Sequence, residues 1–485
     1  MAELVSTRDP NIKIVSYTDA LMGGLAPDGG LLTPIGAEYP GFAQDELVDM
    51  KGLPYAMLAY RIKNRLIGDD IPLDVQLAVA QRAYDPAAFP ESKNGEIAPM
   101  VEAGKNLYIK FLTLGSTVAF KDFGLRSLAE EVDYVLTERD EWLDILGASS
   151  GDTVSAAEDA FKNIGRKSMF MLTPLKGTMS PFQRAQAGVL SSDRIHNISY
   201  DGGFTDCQSI VKELKQMPEF ADLGAVNSIN WGRIVAQVAY YFDAYLQVMG
   251  DRIGEEVDFV VPTGNFGNVL AGHVARRMGL PIRNLIIATN ENNVLDNLVQ
   301  HGVYARPAQQ HDTSSPSMDI IEASNYERLV YEMFDANTLA VSEYMKQFKE
   351  TGRVSLTGYG LPADALQRIG FDSGTSTHAD RIASIRKIYA DSEGSIIIDP
   401  HTADAVTVAN RLPRDVPTIC LATAAPVKFE QTMEEALGFI PEREARFKGL
   451  EDSPNAQNFV VIDSVEALKR YIRQHRPRRA AFPHQ

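Results

Sequence analysis

The sequence predicts an α/β protein in which a mostly parallel sheet is covered by helices on both faces. Short apolar runs alternate with segments of helical periodicity, a glycine-rich turn joins one run to a helix, and 485 residues are too many for a single core. The apolar runs, which we expect to be buried strands, lie at 107–112, 142–146, 168–172, 195–200, 257–261, 285–288, 395–398 and 418–421.

Helical periodicity fills most of the chain between and around these runs. It covers 55–67 and 73–84 near the start, 153–163 and 268–278 between strands, and the region 325–389. Alternation of this kind is typical of βαβ units, in which a helix connects two parallel strands.

Composition also indicates where domains end. The stretch 85–95 is rich in Pro, Ser, Asn and charged residues, as exposed linkers are. We therefore predict a small helical N-terminal domain over 1–92, an α/β domain over 93–430, and a helical C-terminal extension over 431–485 that ends in a basic tail.

The charge balance limits the class of partner. The net charge is −17, from 64 acidic and 47 basic residues, so the protein's field repels polyanions and nucleic acid is not expected to bind. A bound phosphate group would have to be held locally, by backbone N–H groups, hydroxyls and a few cations.

Cysteine and histidine usage bears on compartment and metals. The two cysteines, Cys207 and Cys420, are too few for a disulfide framework, and no apolar run approaches the roughly 20 residues that span a bilayer. We predict a cytoplasmic protein without a membrane partner. The eight histidines and two cysteines show no ligand spacing, so no metal is expected.

The loop after the run 257–261 is a candidate phosphate site. Its two glycines can take positive φ and approach an anion closely, and the helix predicted to open at Val269 presents free N–H groups. The alternative is a glycine-rich turn that binds nothing. The loop matches neither the dinucleotide motif nor the P-loop. The candidate residues are Gly264, Asn265, Phe266, Gly267 and Asn268.

Lys121 is a candidate nucleophile. It stands among apolar neighbours in the segment 116–123, at the start of a predicted helix. Partial burial lowers the pKa of a lysine and suits the amine to Schiff-base formation. The alternative is a lysine that extends to solvent and pairs with Asp122 or with a more distant carboxylate.

A third loop also follows an apolar run and precedes a helix. Hydroxyls and N–H groups cluster there and can hold a carboxylate with the help of the helix dipole. The alternative is simple N-capping by Ser150 or Asp152. The candidate residues are Ser149, Ser150, Gly151, Asp152 and Thr153.

In this order and spacing, the three loops resemble the fold type II family of pyridoxal-phosphate enzymes, and within it the threonine synthases of the longer bacterial and fungal kind. The resemblance extends to most of the chain, because further family-like segments lie at 6–8, 24–31, 179–183, 225–231 and 314–320. It implies two α/β subdomains within 93–430 and a small helical N-terminal domain.

The resemblance also implies roles for single residues. Lys121 would bind pyridoxal 5'-phosphate as a Schiff base, residues 264–268 would hold the cofactor phosphate, and the hydroxyl of Thr423 would face the ring nitrogen. Thr423 is otherwise an ordinary threonine at a strand end. Residues 149–153 would receive the substrate carboxylate. Candidates for the substrate phosphate are Asn227, Ser228, Asn230, Arg233 and Ser315.

The activity implied is conversion of O-phospho-L-homoserine and water to L-threonine and phosphate, the last step of threonine biosynthesis, by a monomer or homodimer. Two alternatives remain: a phospho-lyase that releases 2-oxobutanoate, ammonia and phosphate, or a non-catalytic binding module. The chain departs from the family pattern at Val154, where a glycine is expected, at Ser149 and at Ala425. These departures bear on substrate and product choice. His273 is expected to pack as a structural helix residue.

Overall fold

The computed structural model describes residues 3–14, 16–92, 94–149, 151–175, 179–220, 222–224 and 227–476. The helices are α1 Tyr17–Gly23, α2 Gln44–Asp49, α3 Tyr55–Ile67, α4 Leu73–Ala83, α5 Lys121–Glu138, α6 Thr153–Phe161, α7 Pro181–Gly188, α8 Phe204–Gln216, α9 Trp231–Met249, α10 Gly267–Arg277, α11 Val294–His301, α12 Tyr326–Met333, α13 Thr338–Thr351, α14 Ala365–Arg368, α15 His378–Asp391, α16 Pro400–Arg411, α17 Glu430–Leu437 and α18 Val465–His475.

The strands are β1 Leu4–Ser6, β2 Lys13–Ile14, β3 Leu32–Pro34, β4 Met100–Gly104, β5 Leu107–Phe111, β6 Leu143–Ala148, β7 Lys167–Pro174, β8 Ile195–Tyr200, β9 Val257–Pro262, β10 Ile282–Thr289, β11 Val303–Ala305, β12 Arg353–Ser355, β13 Phe371–Thr375, β14 Thr418–Ala422 and β15 Val460–Ile462. Seven of the eight apolar runs thus form strands, and the predicted α/β class is confirmed.

Contacts between Cα atoms divide the chain into two compact units, each built from two separate stretches. The first unit comprises 1–130 and 228–442, and the second comprises 131–227 and 443–485. The domain boundaries predicted at 92/93 and 430/431 follow composition along the sequence, and they stay a prediction.

The first unit contains a six-stranded sheet in the order β13-β10-β9-β14-β5-β4. All neighbours are parallel except β4 and β5. Val260 on β9 packs in one cluster with residues of α15 and α16, while the ring of the adjacent Phe259 contacts Tyr241 of α9. Successive strand residues point to opposite faces, so helices cover both sides of this sheet.

The start of the chain adds a small antiparallel sheet in the order β2-β1-β3 to the first unit. It is fastened to α12, because Glu327 accepts hydrogen bonds from the Thr7 hydroxyl at 2.5 Å and from two nitrogens of Arg8 at 2.8 and 2.7 Å. A bidentate arginine–carboxylate pair fixes both distance and orientation.

The second unit contains a four-stranded parallel sheet in the order β15-β8-β7-β6. Its core joins β6, β7 and β8 to α8 and α18 through buried residues such as Phe170, Ile210 and Leu468. No helix among the described residues is long and apolar enough to cross a membrane.

Two predictions about secondary structure were wrong. Residues 395–398 form no strand: Ile396 and Ile398 are buried as coil ahead of Asp399, which caps α16. The region 325–389 is not helical throughout, because β13 lies within it at the edge of the large sheet. The polar residues Asp372 and Ser373 give this edge strand little of the apolar character on which the prediction relied.

Candidate active site

Two of the predicted cofactor segments leave neighbouring strands of the large sheet at the same edge. Thr423 follows β14 and the loop 263–268 follows β9, and these two strands are paired in parallel. In open α/β sheets the carboxyl ends of the strands are where ligands bind. The topology therefore brings Thr423 and the glycine loop to one side of the first unit.

Lys121 is held next to Thr423 by backbone hydrogen bonds. The N–H of Phe120 donates to the carbonyl of Thr423 at 2.9 Å, and the N–H of Ala425 donates to the carbonyl of Val118 at 3.1 Å. Lys121 is half-buried at the first position of α5, with its Nζ 5.5 Å from the centroid of the Phe120 ring. Lys121, the predicted nucleophile, and Thr423 therefore lie close together at the carboxyl end of β14.

Asp122 organises the turn that precedes Lys121. Its buried carboxylate accepts hydrogen bonds from the N–H of Thr117, at 3.0 Å, and from the Thr117 hydroxyl. A Cβ at Gly115 would collide with this carboxylate, so a larger residue there would displace the Asp122 side chain. The prediction named Asp122 only as a possible partner of Lys121 and missed its contact with Thr117.

The glycines of the phosphate loop do not act as predicted. Neither Gly264 nor Gly267 has positive φ; the left-handed residue is Phe266, with φ 65°, and α10 begins at Gly267 and not at Val269. Gly264 is required for another reason, because a Cβ there would lie 2.9 Å from the carbonyl oxygen of Ser317. Close approach of two backbones, not backbone conformation, accounts for this glycine.

The same loop has the donors that a phosphate group needs. The side-chain Oδ1 of buried Asn268 accepts hydrogen bonds from Tyr240 and Tyr241 at 2.7 and 2.9 Å, which leaves Nδ2 without a partner among the described residues. The first N–H groups of α10 have no acceptor within the helix. Residues 264–268 therefore fit an anionic group such as the cofactor phosphate.

Asn325, which the sequence did not single out, links this loop to a predicted substrate residue. Its Nδ2 donates to the carbonyl of Asn265 at 3.0 Å and to the carbonyl of Ser228 at 3.2 Å. Arg328 in turn donates to the Oδ1 of Asn325. Nothing in the sequence pattern marks Asn325, because its role depends on contacts between distant segments.

The other candidates for the substrate phosphate in the first unit differ in what their side chains do. Asn230 caps α9: its Oδ1 accepts from the N–H of Gly232 at 3.0 Å and its Nδ2 donates to the Leu21 carbonyl. Arg233 is buried, which lowers its pKa to about 10, so it stays charged at neutral pH. The buried hydroxyl of Ser315 accepts from Asn290 at 3.2 Å.

In the second unit, the predicted carboxylate loop follows β6 and opens α6. The Ser149 hydroxyl accepts from the N–H of Gly151 at 3.3 Å, while the Asp152 carboxylate accepts from Gln183 at 2.7 Å and makes no cap bond to the helix. This geometry disfavours capping by Asp152. Ser150 lies outside the described residues, and Val154 is fully buried.

The structure also places two further residues predicted to bind the substrate, Thr153 and Asn227. Thr153 is the first residue of α6. Asn227 is half-buried close to the end of β6, where a Cβ added to Gly147 would lie 3.9 Å from its Oδ1.

His273 packs as expected of a structural histidine. It is buried on α10 between Glu332, at 3.0 Å, and Arg276, at 2.9 Å. Burial and the two neighbouring arginines hold its pKa well below the usual value.

Three family models match the chain in succession. The model for the threonine synthase N terminus matches residues 3–84, the model for pyridoxal-phosphate dependent enzymes matches 97–359, and the model for the threonine synthase C-terminal region matches 402–472.

Full-length relatives agree with these models. The chain is 42% identical to a threonine synthase of Corynebacterium glutamicum, with 97% of this chain and 98% of that protein covered. It is 34% identical to one of Saccharomyces cerevisiae, with 97% of each covered.

Solved structures show the same architecture. A threonine synthase from Brucella melitensis with bound pyridoxal phosphate superposes with a TM-score of 0.88 at 36% identity, over 98% of this chain and 99% of that one. The yeast threonine synthase gives 0.88 at 32% identity, over 98% of each. The predicted resemblance is confirmed, and the chain belongs to the threonine synthase family of pyridoxal-phosphate-dependent lyases, with their fold type II architecture.

Proposed function

We propose that this chain converts O-phospho-L-homoserine and water to L-threonine and inorganic phosphate. The observation that carries the proposal is the convergence of Lys121, Thr423 and residues 264–268 at one edge of the large sheet, in a chain whose family makes threonine. Each of these segments was assigned a cofactor role on resemblance, and the geometry supports assigning all of them to one site.

The proposed cofactor contacts divide by chemistry. Residues 264–268 hold the phosphate through the N–H groups of α10 and the Nδ2 of Asn268, while Lys121 binds the cofactor covalently. Thr423 places a neutral hydroxyl near the ring nitrogen, which stabilises a positive ring less than a carboxylate would. When bound, pyridoxal phosphate withdraws electrons from the α-carbon of the substrate.

Lys121 carries the proton transfers in this proposal. With the substrate amine in its place, the neutral Nζ would accept the proton from the α-carbon, give it up, and then accept one from the β-carbon, which would let the γ-phosphate leave. The γ-carbon then takes up a proton and becomes the methyl group of threonine, water adds its oxygen to the β-carbon and releases a proton, and a proton returned to the α-carbon completes the reaction. Asp122 supports this chemistry indirectly, since it fixes the turn at Thr117 that precedes Lys121.

Substrate contacts are proposed at two places in the chain. Ser149, Ser150, Gly151, Asp152 and Thr153 receive the α-carboxylate, and Asn227, Ser228, Asn230, Arg233 and Ser315 receive the phosphate. Arg233 has the best support, because it is buried and still charged and can bind phosphate with two N–H groups. Asn230 has the least, because both ends of its amide are already bonded.

An end-point assay tests the proposal. Purified protein with pyridoxal phosphate is given O-phospho-L-homoserine, and phosphate, threonine and 2-oxobutanoate are measured together. We expect threonine equal to phosphate, and a rate at least about 100-fold lower in Lys121→Ala because the proton carrier is lost. The control variant is Lys105→Ala, at an exposed turn. Phosphate matched by 2-oxobutanoate would make the protein a phospho-lyase, and absence of phosphate release would refute both activities.

We also propose a cytoplasmic protein that acts as a monomer or homodimer, without nucleic-acid or membrane partners. The buried, free thiols of Cys207 and Cys420 support a reducing compartment. Light scattering coupled to size-exclusion chromatography measures the oligomeric state directly, and a mass above that of a dimer would contradict this proposal.

A further inference from the structure

A short segment forms one wall of the phosphate loop. Residues 315–319 approach Gly264 so closely that an added Cβ would lie 2.9 Å from the carbonyl oxygen of Ser317 and 3.3 Å from the Cα of Met318. The position of the Ser317 backbone therefore decides how much room the loop has. Anything that holds Ser317 also holds the shape of the phosphate cradle.

The ends of this wall are fixed by an asparagine after β10. Asn290 Nδ2 donates to the carbonyl of Ser315 at 3.2 Å and to Asp319 at 2.7 Å, and Asp319 also accepts from the N–H of Thr313 at 2.9 Å. These contacts anchor both sides of Ser317.

The middle of the wall is held by a histidine from α16. The backbone N–H of Ser317 donates to Nε2 of His401 at 3.1 Å. His401 is 1% exposed, and its ring centroid lies 4.8 Å from that of Phe429. Because a backbone N–H can only donate, Nε2 must be the unprotonated nitrogen of this imidazole.

The other ring nitrogen fixes that tautomer. His401 Nδ1 lies 2.7 Å from the buried carboxylate of Asp399, so the proton resides on Nδ1 and is donated to the carboxylate. Asp399 is itself immobilised as the cap of α16, where it accepts from the N–H of Thr402 at 3.0 Å and from its hydroxyl at 2.5 Å. A connected series of contacts thus runs from the start of α16 through His401 and Ser317 to Gly264.

We infer that His401 is a positioning residue for the cofactor phosphate: as a neutral acceptor it fixes Ser317, and through Ser317 it preforms the cradle around Gly264. The inference rests on the proposed function only in that residues 264–268 hold the cofactor phosphate. His401 acts through Ser317, and its loss should weaken recognition of the phosphate group more than recognition of the pyridine ring.

Two ligands separate these effects. Cofactor-free protein is titrated with pyridoxal phosphate and, separately, with pyridoxal, which lacks the phosphate, and both dissociation constants are taken from absorbance changes. In His401→Leu, which removes the acceptor, we expect pyridoxal phosphate to bind about tenfold more weakly and pyridoxal within about twofold of wild type. His401→Gln keeps a carbonyl acceptor and should recover most of the lost affinity.

The matched control is His301→Leu, the same substitution at an exposed position in the same unit, which should bind both ligands as wild type does. If His401→Leu does not fold, His401→Asn replaces it, because the shorter amide cannot bridge Asp399 and Ser317. Equal weakening for both ligands, unchanged affinity for pyridoxal phosphate, or no recovery in His401→Gln would overturn the inference. Failure of the wild-type protein to bind pyridoxal phosphate would instead refute the proposed function.

Discussion

Gly264 and Phe266 contribute to the proposed phosphate loop, residues 264–268, in different ways. Phe266 takes the left-handed conformation, and its ring packs against Tyr326 and Phe371 at centroid distances of 5.9 and 6.1 Å. Gly264 leaves room for the Ser317 carbonyl. A bulky residue can hold an unfavourable φ when packing fixes it, whereas a steric contact between backbones cannot be relieved by packing.

This difference predicts the effect of a single methyl group. Gly264→Ala forces either the loop or Ser317 to move, and we expect the concentration of pyridoxal phosphate that restores half of the activity to rise at least about tenfold. The measurement is recovery of activity as the cofactor is added to cofactor-free protein. Gly23→Ala is the control, since a Cβ there meets nothing within 4 Å. Recovery at the same cofactor concentration as wild type would show that residues 315–319 move aside at little cost.

At the scale of secondary-structure elements, attachment of the N-terminal sheet to α12 depends on Glu327, whose side chain is 3% exposed. Glu327→Gln removes the charge that pairs with Arg8, and we expect the free energy of unfolding to fall by about 2 kcal/mol. Unfolding in urea is followed by Trp231 fluorescence in a Trp142→Phe background, because Trp231 lies in the same unit. Glu343→Gln, at an exposed site on α13, should leave stability unchanged. A comparable loss in both variants would contradict this role.

The contact between β8 and α18 predicts a pH dependence. His196 stacks on Phe170 and contacts Tyr471, and burial is the main cause that lowers its pKa to about 4 from 6.5. The unfolded chain therefore binds a proton that the folded unit does not, so stability is lost as pH falls from 6.5 towards 4, by up to about 1.4 kcal/mol for each pH unit from this group.

His196→Phe keeps an aromatic ring but cannot bind the proton, so its stability should depend less on pH. Urea unfolding is measured between about pH 5 and about pH 7, the range in which histidine titrates. Fluorescence of Trp142 reports unfolding in a Trp231→Phe background. His301→Leu serves as the exposed control. Identical pH slopes for wild type and His196→Phe would assign the acid sensitivity to other groups.

The sequence allowed prediction of elements whose cause is local. Apolar runs predicted most strands of the six-stranded and four-stranded sheets, and the glycine-rich turn after β9 predicted the helix that follows it, α10. The edge strand β13 was missed, because edge pairing tolerates polar residues that carry no strand pattern. Asn325 and His401 were missed for another reason. Each contacts a segment that is far from it along the chain, and only the tertiary fold brings each residue to that segment.

At the scale of the whole molecule, cofactor binding should increase the thermal stability of the protein. A ligand that binds only the folded state, present at about 100 times its dissociation constant, adds roughly 2.7 kcal/mol to the free energy of unfolding. We therefore expect the melting temperature of the wild-type protein to rise with pyridoxal phosphate concentration, and to rise less in Lys121→Ala, which cannot form the proposed covalent bond. Differential scanning calorimetry measures both, and equal shifts would indicate that Lys121 contributes little to binding.

The discontinuous units have a consequence for synthesis on the ribosome. In the large sheet β14 lies between β5 and β9, and in the smaller sheet the edge strand beside β8 is β15, so each sheet awaits a strand that is encoded far downstream of its neighbours. Neither unit can complete its sheet until this downstream strand has been made. Nascent strands β5, β8 and β9 each keep one unpaired edge until β14 or β15 has been made, which makes chaperone capture or aggregation of truncated chains the expected fate when elongation stalls before that point.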